Sequence, residues 1–305
     1  MSYRQASIEV LLRTSLCSAS EEMRRSAAVF VLCAGSFLLV YRAVLVKLVH
    51  DWATDDNYSH GFLIVPVAAY LAFERRQKLL SAQQRPGLAG LAMVLANLAL
   101  LVAGTLGAEL FFTRISIVGL LLGTVVFVWG WAHARILAFP IAFLLLMVPL
   151  PAIVFNQIAF PLQLVASRLG EGTLQLLAIP ALREGNVIIL ANTTLEVAEA
   201  CSGIRSLVSL MTLGIVLGYF SDSRTWVRMV VTLATVPVAI VANGVRVAGS
   251  GIAAYRFGPD AATGFLHTFS GWTVFLVAFA LLFGVQHLLT RFVPVTTPTA
   301  GAQAA

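Results

Sequence analysis

Charge is what this chain has least of. Asp, Glu, Lys and Arg make up 11% of its 305 residues, against about 25% in an average soluble domain. Hydrophobic residues account for 59%, and the mean hydropathy is +0.90. That balance excludes a soluble globular protein, and no polar stretch is long enough to house a separate soluble domain. Cysteine is equally scarce: Cys17, Cys33 and Cys201 lack any paired spacing, so neither a disulfide framework nor a zinc site is expected. The first 25 residues lack the apolar core and small-residue cleavage site of a removable presequence. They are read as a cytoplasmic lead-in carrying Arg4, Arg13, Arg24 and Arg25. Also missing are a phosphate-cradling glycine loop and paired carboxylates, and Asp55, Asp56 and His60 fit no defined metal spacing, so no cofactor and no metal are expected. The net charge of +6 reads as a membrane-topology signal, with no nucleic-acid partner implied.

What the chain does have is long apolar runs. Runs of about 20 residues match a hydrocarbon core of roughly 30 Å, and eight are found, over about 26–46, 60–73, 88–106, 111–130, 135–150, 203–220, 227–247 and 269–290. Pro66 and Pro140 mark broken or kinked segments. The expected fold is an all-α polytopic membrane protein, a bundle of about eight transmembrane helices. Its expected segments are a cytoplasmic N-terminus over 1–25, a transmembrane domain over 26–292 and a cytoplasmic tail over 293–305. With a cytoplasmic N-terminus, twelve of the twenty Lys and Arg fall on the inner side, anchored by Arg75, Arg76, Lys78 and Arg85. Both termini are then inside, and Cys201, Arg246 and His267 all emerge on the outer face.

The outer loop from about 151 to 200 has two parts. Residues 155–177 carry apolar side chains at helical spacing, which predicts a helix in the interface or one partly inserted. Residues 186–197 predict two short strands around Asn192-Thr193, a hairpin leading directly into Cys201. Such a strand either caps the bundle or pairs with an extended peptide.

Several side chains on that face carry chemistry. Cys201 stands at a helix start, with Glu199 and Ser202 beside it and Arg205 one turn on, where positive potential favours thiolate. A membrane cysteine is more often a small packing residue, as Cys33 is read. Asn243 and Arg246 share one helical face beside glycines, which offers an amide and a guanidinium to a polar pocket, although a span-end arginine commonly snorkels to headgroups. His267 precedes the last span, where a neutral ring can serve as acid or base or simply be solvated. His133 and His287 are read as unremarkable. Tyr58 and His60 belong to a further polar cluster entering the second span, suited to substrate contact or to a structural turn.

The blocks Ala200-Cys201-Ser202-Gly203-Ile204-Arg205-Ser206-Leu207, Asn243-Gly244-Val245-Arg246-Val247 and His267-Thr268-Phe269-Ser270-Gly271 resemble the three signature blocks of the exosortase/archaeosortase family. Tyr58-Ser59-His60-Gly61-Phe62 resembles its N-terminal block. The resemblance implies a multi-pass cysteine transpeptidase of the bacterial inner membrane, with its active site facing the periplasm. It implies cleavage of C-terminal sorting signals, a Pro-Glu-Pro motif followed by a span and a basic tail. Transfer of the membrane-anchored substrate protein to an acceptor would follow, in cells that make exopolysaccharide. It assigns the catalytic cysteine, arginine and histidine to Cys201, Arg246 and His267, with Arg205, Asn243, Glu199, His60 and Tyr58 as candidate supports. The alternative is a non-enzymatic polysaccharide or lipid export subunit. That would require ionisable groups deep in several spans, whereas here they cluster at one surface.

Overall fold

The computed structural model describes residues 31–55, 57–191, 193–197, 203–221, 224–258 and 265–292, and the isolated positions 24 and 28. The side chains of 203–206, 221, 265–271 and 292 lie outside the described part. The chain forms a multi-pass α-helical membrane protein with one small sheet, as composition predicts. Among the described residues, six helices are long and apolar enough to cross a bilayer, and three shorter apolar helices accompany them. The chain divides into two compact units, residues 1–53 with 65–148, and residues 54–64 with 149–305.

The first unit contains α1 (Val31–Thr54), most of α2 (Gly61–Glu74), α3 (Arg76–Ser81), α4 (Leu88–Leu106), α5 (Leu110–Val128) and α6 (Trp131–Phe143). A 3-10 turn, Leu144–Met147, follows α6. Its centre is the α4–α5 hairpin. In lipid the hydrophobic effect does not drive helices together, so small residues that let backbones approach do the work. A Cβ on Gly90 would lie 2.2 Å from the Phe127 nitrogen, and one on Gly123 2.9 Å from the Met93 Cβ. Gly104 meets Thr113 and Gly119 meets Asn97 in the same antiparallel register.

Polar groups tie further helices to this hairpin. Tyr41 and Ser116 share a buried hydrogen bond of 2.9 Å, and Trp52 Nε1 donates to the Met147 carbonyl at 3.1 Å. Arg114, 4% exposed, pairs with Asp51, which also holds Lys47 at 2.8 Å. At the other end of α5, Arg85 N donates to Trp129 O and Gly87 N to Val126 O. The Arg75 guanidinium reaches Ile136 O nearby. These bonds bring Arg75 and Arg85, with Arg76, Lys78 and Arg135 close to them in the chain, to one end of the unit.

The second unit contains α7 (Ala152–Leu176), the strands β1 (Ala181–Glu184), β2 (Val187–Leu190) and β3 (Thr194–Glu196), then α8 (Gly203–Ser221), α9 (Thr225–Phe257) and α10 (Phe265–Phe292). The segment predicted as interfacial or partly inserted is one 25-residue helix, α7, apolar enough to span. The predicted 227–247 helix runs ten residues further, to Phe257. Arg246 reads as a span end, yet Val247, Ala248, Ser250, Gly251 and Ala254 beyond it are buried and keep the helix going.

Glycine contacts fix the directions. Gly244 packs on Leu169, Gly170 on Val247 and Gly251 on Leu174, so α7 and α9 run parallel. Gly218 meets Arg228 and Gly214 meets Thr235, so α8 runs against α9. The link from α9 to α10, residues 258–264, is too short for anything but an antiparallel return. Phe275, Ala278 and Leu282 accordingly pack with Ala234, Ala239, Ala242 and Leu210. The sheet, the start of α8, the end of α9 and the start of α10 therefore share one end of this unit.

The sheet has order β1-β2-β3, antiparallel throughout. β2 and β3 match the two predicted strands. β1 was not predicted; its signal is the two-residue Gly185-Asn186 turn, with Gly185 at φ +65°. Ile188, Leu190 and Leu195 on one face of the sheet, with Val197 just past β3, form a buried cluster with Ala166 and Leu174 of α7 and Val247 and Ala254 of α9.

Candidate active site

The candidate residues sort by how the shared end is built. Asn243 and Arg246 lie three residues apart on one face of α9, the spacing that aligns side chains along a helix. Asn243 is 6% exposed, and its Oδ1 has no hydrogen-bond partner among the described residues. An unsatisfied buried amide oxygen costs about 1–3 kcal/mol, so its presence calls for a reason. It borders a small cavity lined by Leu162, Leu207, Ala239, Ile240 and Asn243, of about 10 Å³, roughly the space of one water. Arg246, one turn on, is half-buried.

The start of α8 faces the same turn of α9. Moving back along α8, Gly218 meets Arg228, Gly214 meets Thr235, and Leu207 borders the cavity with Asn243. One more turn in this antiparallel register sets Gly203 level with Arg246. From the sheet side, Val197 is fully buried in the cluster that holds Val247, the neighbour of Arg246. Of the two described ends that flank residues 198–202, the start of α8 thus reaches the level of Arg246, and Val197 belongs to the buried cluster that includes Val247. Cys201 and Glu199 lie outside the described residues, and Arg205 and His267 are described only in backbone, in the first turns of α8 and α10.

Tyr58 and His60 are placed elsewhere in this unit. The Tyr58 ring packs on Phe155 with centroids 6.3 Å apart, and its hydroxyl donates to Leu150 O at 3.5 Å. Asp55 closes a turn by accepting from Asn57, and His60 directly precedes α2. Phe155 belongs to the first turn of α7, whereas Gly170 of the same helix packs on Val247. Fifteen residues at 1.5 Å each separate the two levels by about 22 Å. The structure brings Asn243 and Arg246 to the start of α8 and holds Tyr58 at the far end of α7.

Two polar residues of α7 tie it to the sheet. Glu171 accepts from Arg183 N at 3.1 Å and pairs with the Arg183 guanidinium at 3.3 Å, and Gln175 donates to Ala181 O at 3.2 Å. In the sequence Glu171 reads only as a break in the apolar spacing, and Gln175, four residues on, is not singled out.

The family model for transmembrane exosortase (Exosortase_EpsH) matches residues 52–284, more than half of the chain. No curated protein and no solved structure matches it.

Proposed function

The chain belongs to the transmembrane exosortase family, and from that premise we propose that it is a cysteine transpeptidase acting on C-terminal sorting signals of membrane-anchored proteins. Cys201 thiolate attacks the carbonyl of the scissile peptide bond. The Arg246 guanidinium stabilises first the thiolate and then the oxyanion, through its fixed fork of donors. His267 protonates the leaving amine, which departs with the span and basic tail of the signal. The thioester left on Cys201 passes to an acceptor nucleophile or to water. Arg205, Asn243 and Glu199 support this centre. Tyr58, about 22 Å away along α7, packs on the start of that helix, and His60 stands just before α2.

The observation that carries the reading is the convergence on α9: Arg246 stands level with the first residue of α8, and Cys201 is two residues before it in the chain. Two residues span at most about 7 Å. The protein is placed in a bacterial inner membrane with this end facing the periplasm. Residues 1–25 and 293–305 are then cytoplasmic. The export-subunit alternative would need ionisable groups lining a path through several spans, whereas the match to the exosortase family model supports the sorting-signal reading.

The test is processing of a tagged sorting-signal protein in cells whose only copy is Cys201→Ala. Loss of processing with normal protein levels is expected, and unchanged processing would end the nucleophile assignment.

A further inference from the structure

The sheet has two edges, and they differ. In an antiparallel ladder, alternate residues of an edge strand turn N–H and C=O outward. On β1 the outward residues are Ala181 and Arg183, and both are occupied: Gln175 donates to Ala181 O and Glu171 accepts from Arg183 N. Side chains of α7 therefore close this edge. On β3, Val197 N donates inward to Asn186 O and Thr193 O accepts from Leu190 N, so Leu195, between them, also faces β2. Thr194 and Glu196 turn their N–H and C=O away from the sheet. Both are exposed, and no described residue bonds to these groups. An open edge is a liability that proteins usually blunt, and among the described residues one edge is blunted and the other is not.

We propose that β3 docks the extended peptide of the protein substrate as a fourth strand, next to the segment that carries Cys201. The inference rests on the sorting-signal reading above and names the element that binds that signal. Two outward residues offer donors and acceptors for a peptide of three to five residues, too few to hold a second copy of the chain. The edge leads in five residues from Glu196 to Cys201, so a peptide paired along β3 runs on towards the nucleophile. Main-chain bonding of this kind gives affinity without demanding particular side chains. A Pro-x-Pro segment suits it: the middle residue turns its N–H and C=O to the edge, while the prolines, lacking a donor, face away.

The test uses the full-length protein in membranes, as Cys201→Ala so that substrate is retained. A photo-crosslinking amino acid is placed at position 194 or 196, or at exposed position 182 on β1, together with a tagged sorting-signal protein. Adducts from 194 and 196 and none from 182 are expected. Absence at 194 and 196, or equal yield at 182, overturns the docking. Independently, with Cys201 intact, Glu196→Pro is compared with Glu196→Ala. Proline removes an amide that the β2–β3 ladder does not use, so processing should fall roughly tenfold below the alanine variant, for one lost hydrogen bond. Equal processing by the two overturns the proposal. Should Cys201→Ala process normally, the catalytic reading fails on its own, and the crosslinking pattern still decides the docking.

Discussion

Two helix pairs in this molecule use the same adhesive for different ends. α4 and α5 meet through Gly90, Gly104, Gly119 and Gly123; α7 and α9 meet through Gly170, Gly244 and Gly251. The first pair is a hairpin joined by a short turn, so its register follows from neighbouring sequence. The second pair is parallel, which obliges the chain to return through other structure between its members. The sheet and α8 are that return, and they put new backbone against the end of α9 where Asn243 and Arg246 stand. The first region places its charge in the Arg114–Asp51 pair; the second keeps an amide oxygen without a partner among the described residues. Close packing therefore yields a clamp in one case and a site in the other.

If that contrast is right, variants in the two regions should fail in different ways. The largest effect is expected from Arg246→Lys, which keeps the charge and loses the fork. Processing should fall by about 10²–10³, the scale of one lost oxyanion donor, while the melting temperature in detergent shifts by under about 2 °C. A large loss of stability instead would make Arg246 a clamp residue like Arg114. Next is Asp51→Ala, which strands Arg114 at 4% exposure and should cost about 3 kcal/mol. Adding Arg114→Met should restore most of that stability, as read by unfolding in detergent. No recovery would mean that the pair is not the source of the cost.

A finer comparison sets glycine against glycine. A Cβ at Gly90 would press on the Phe127 backbone at 2.2 Å, whereas one at Gly172 would meet nothing within 4 Å. Gly90→Ala should destabilise by about 1–3 kcal/mol, as over-packing does. Gly172→Ala should stabilise by about 0.5 kcal/mol through the unfolded state. The same melting measurement reads both, and equal effects would show that helix approach does not depend on these contacts.

The sequence disclosed the fold where physics is local. Apolar runs revealed α4 and α5 almost to the residue, because an unbroken apolar run of about 20 residues bounds a span by itself. It disclosed less where distant packing decides. α7 carries Asn156, Gln157, Gln163, Arg168 and Glu171, and it reads as interfacial until Ser167 is seen bonding Gly185 O and Glu171 bonding Arg183. α9 seemed to stop at Arg246 because only α7 and the sheet bury the turns beyond it. The Asn243–Arg246 face was legible from spacing alone. The closed and open edges of the sheet were not, since that difference depends on which strand lies beside α7.

Tyr58 gives the smallest and sharpest comparison, because its block resembles a family signature while its position lies some 22 Å from Arg246 along α7. Its hydroxyl reaches Leu150 O at 3.5 Å, the outer limit of a hydrogen bond, and its ring packs on Phe155. Tyr58→Phe keeps the ring and removes every bond of the hydroxyl, the one to Leu150 O included, so stability should change by about 1.5 kcal/mol or less and processing by no more than about twofold. Tyr58→Ala also removes the ring, and should loosen the start of α7 while leaving the Arg246 end intact. A tenfold loss of processing in Tyr58→Phe at unchanged stability would instead show that the hydroxyl takes part in the reaction. The working end would then extend along the whole of α7, and the separation drawn here between a holding region and a reacting one would fail.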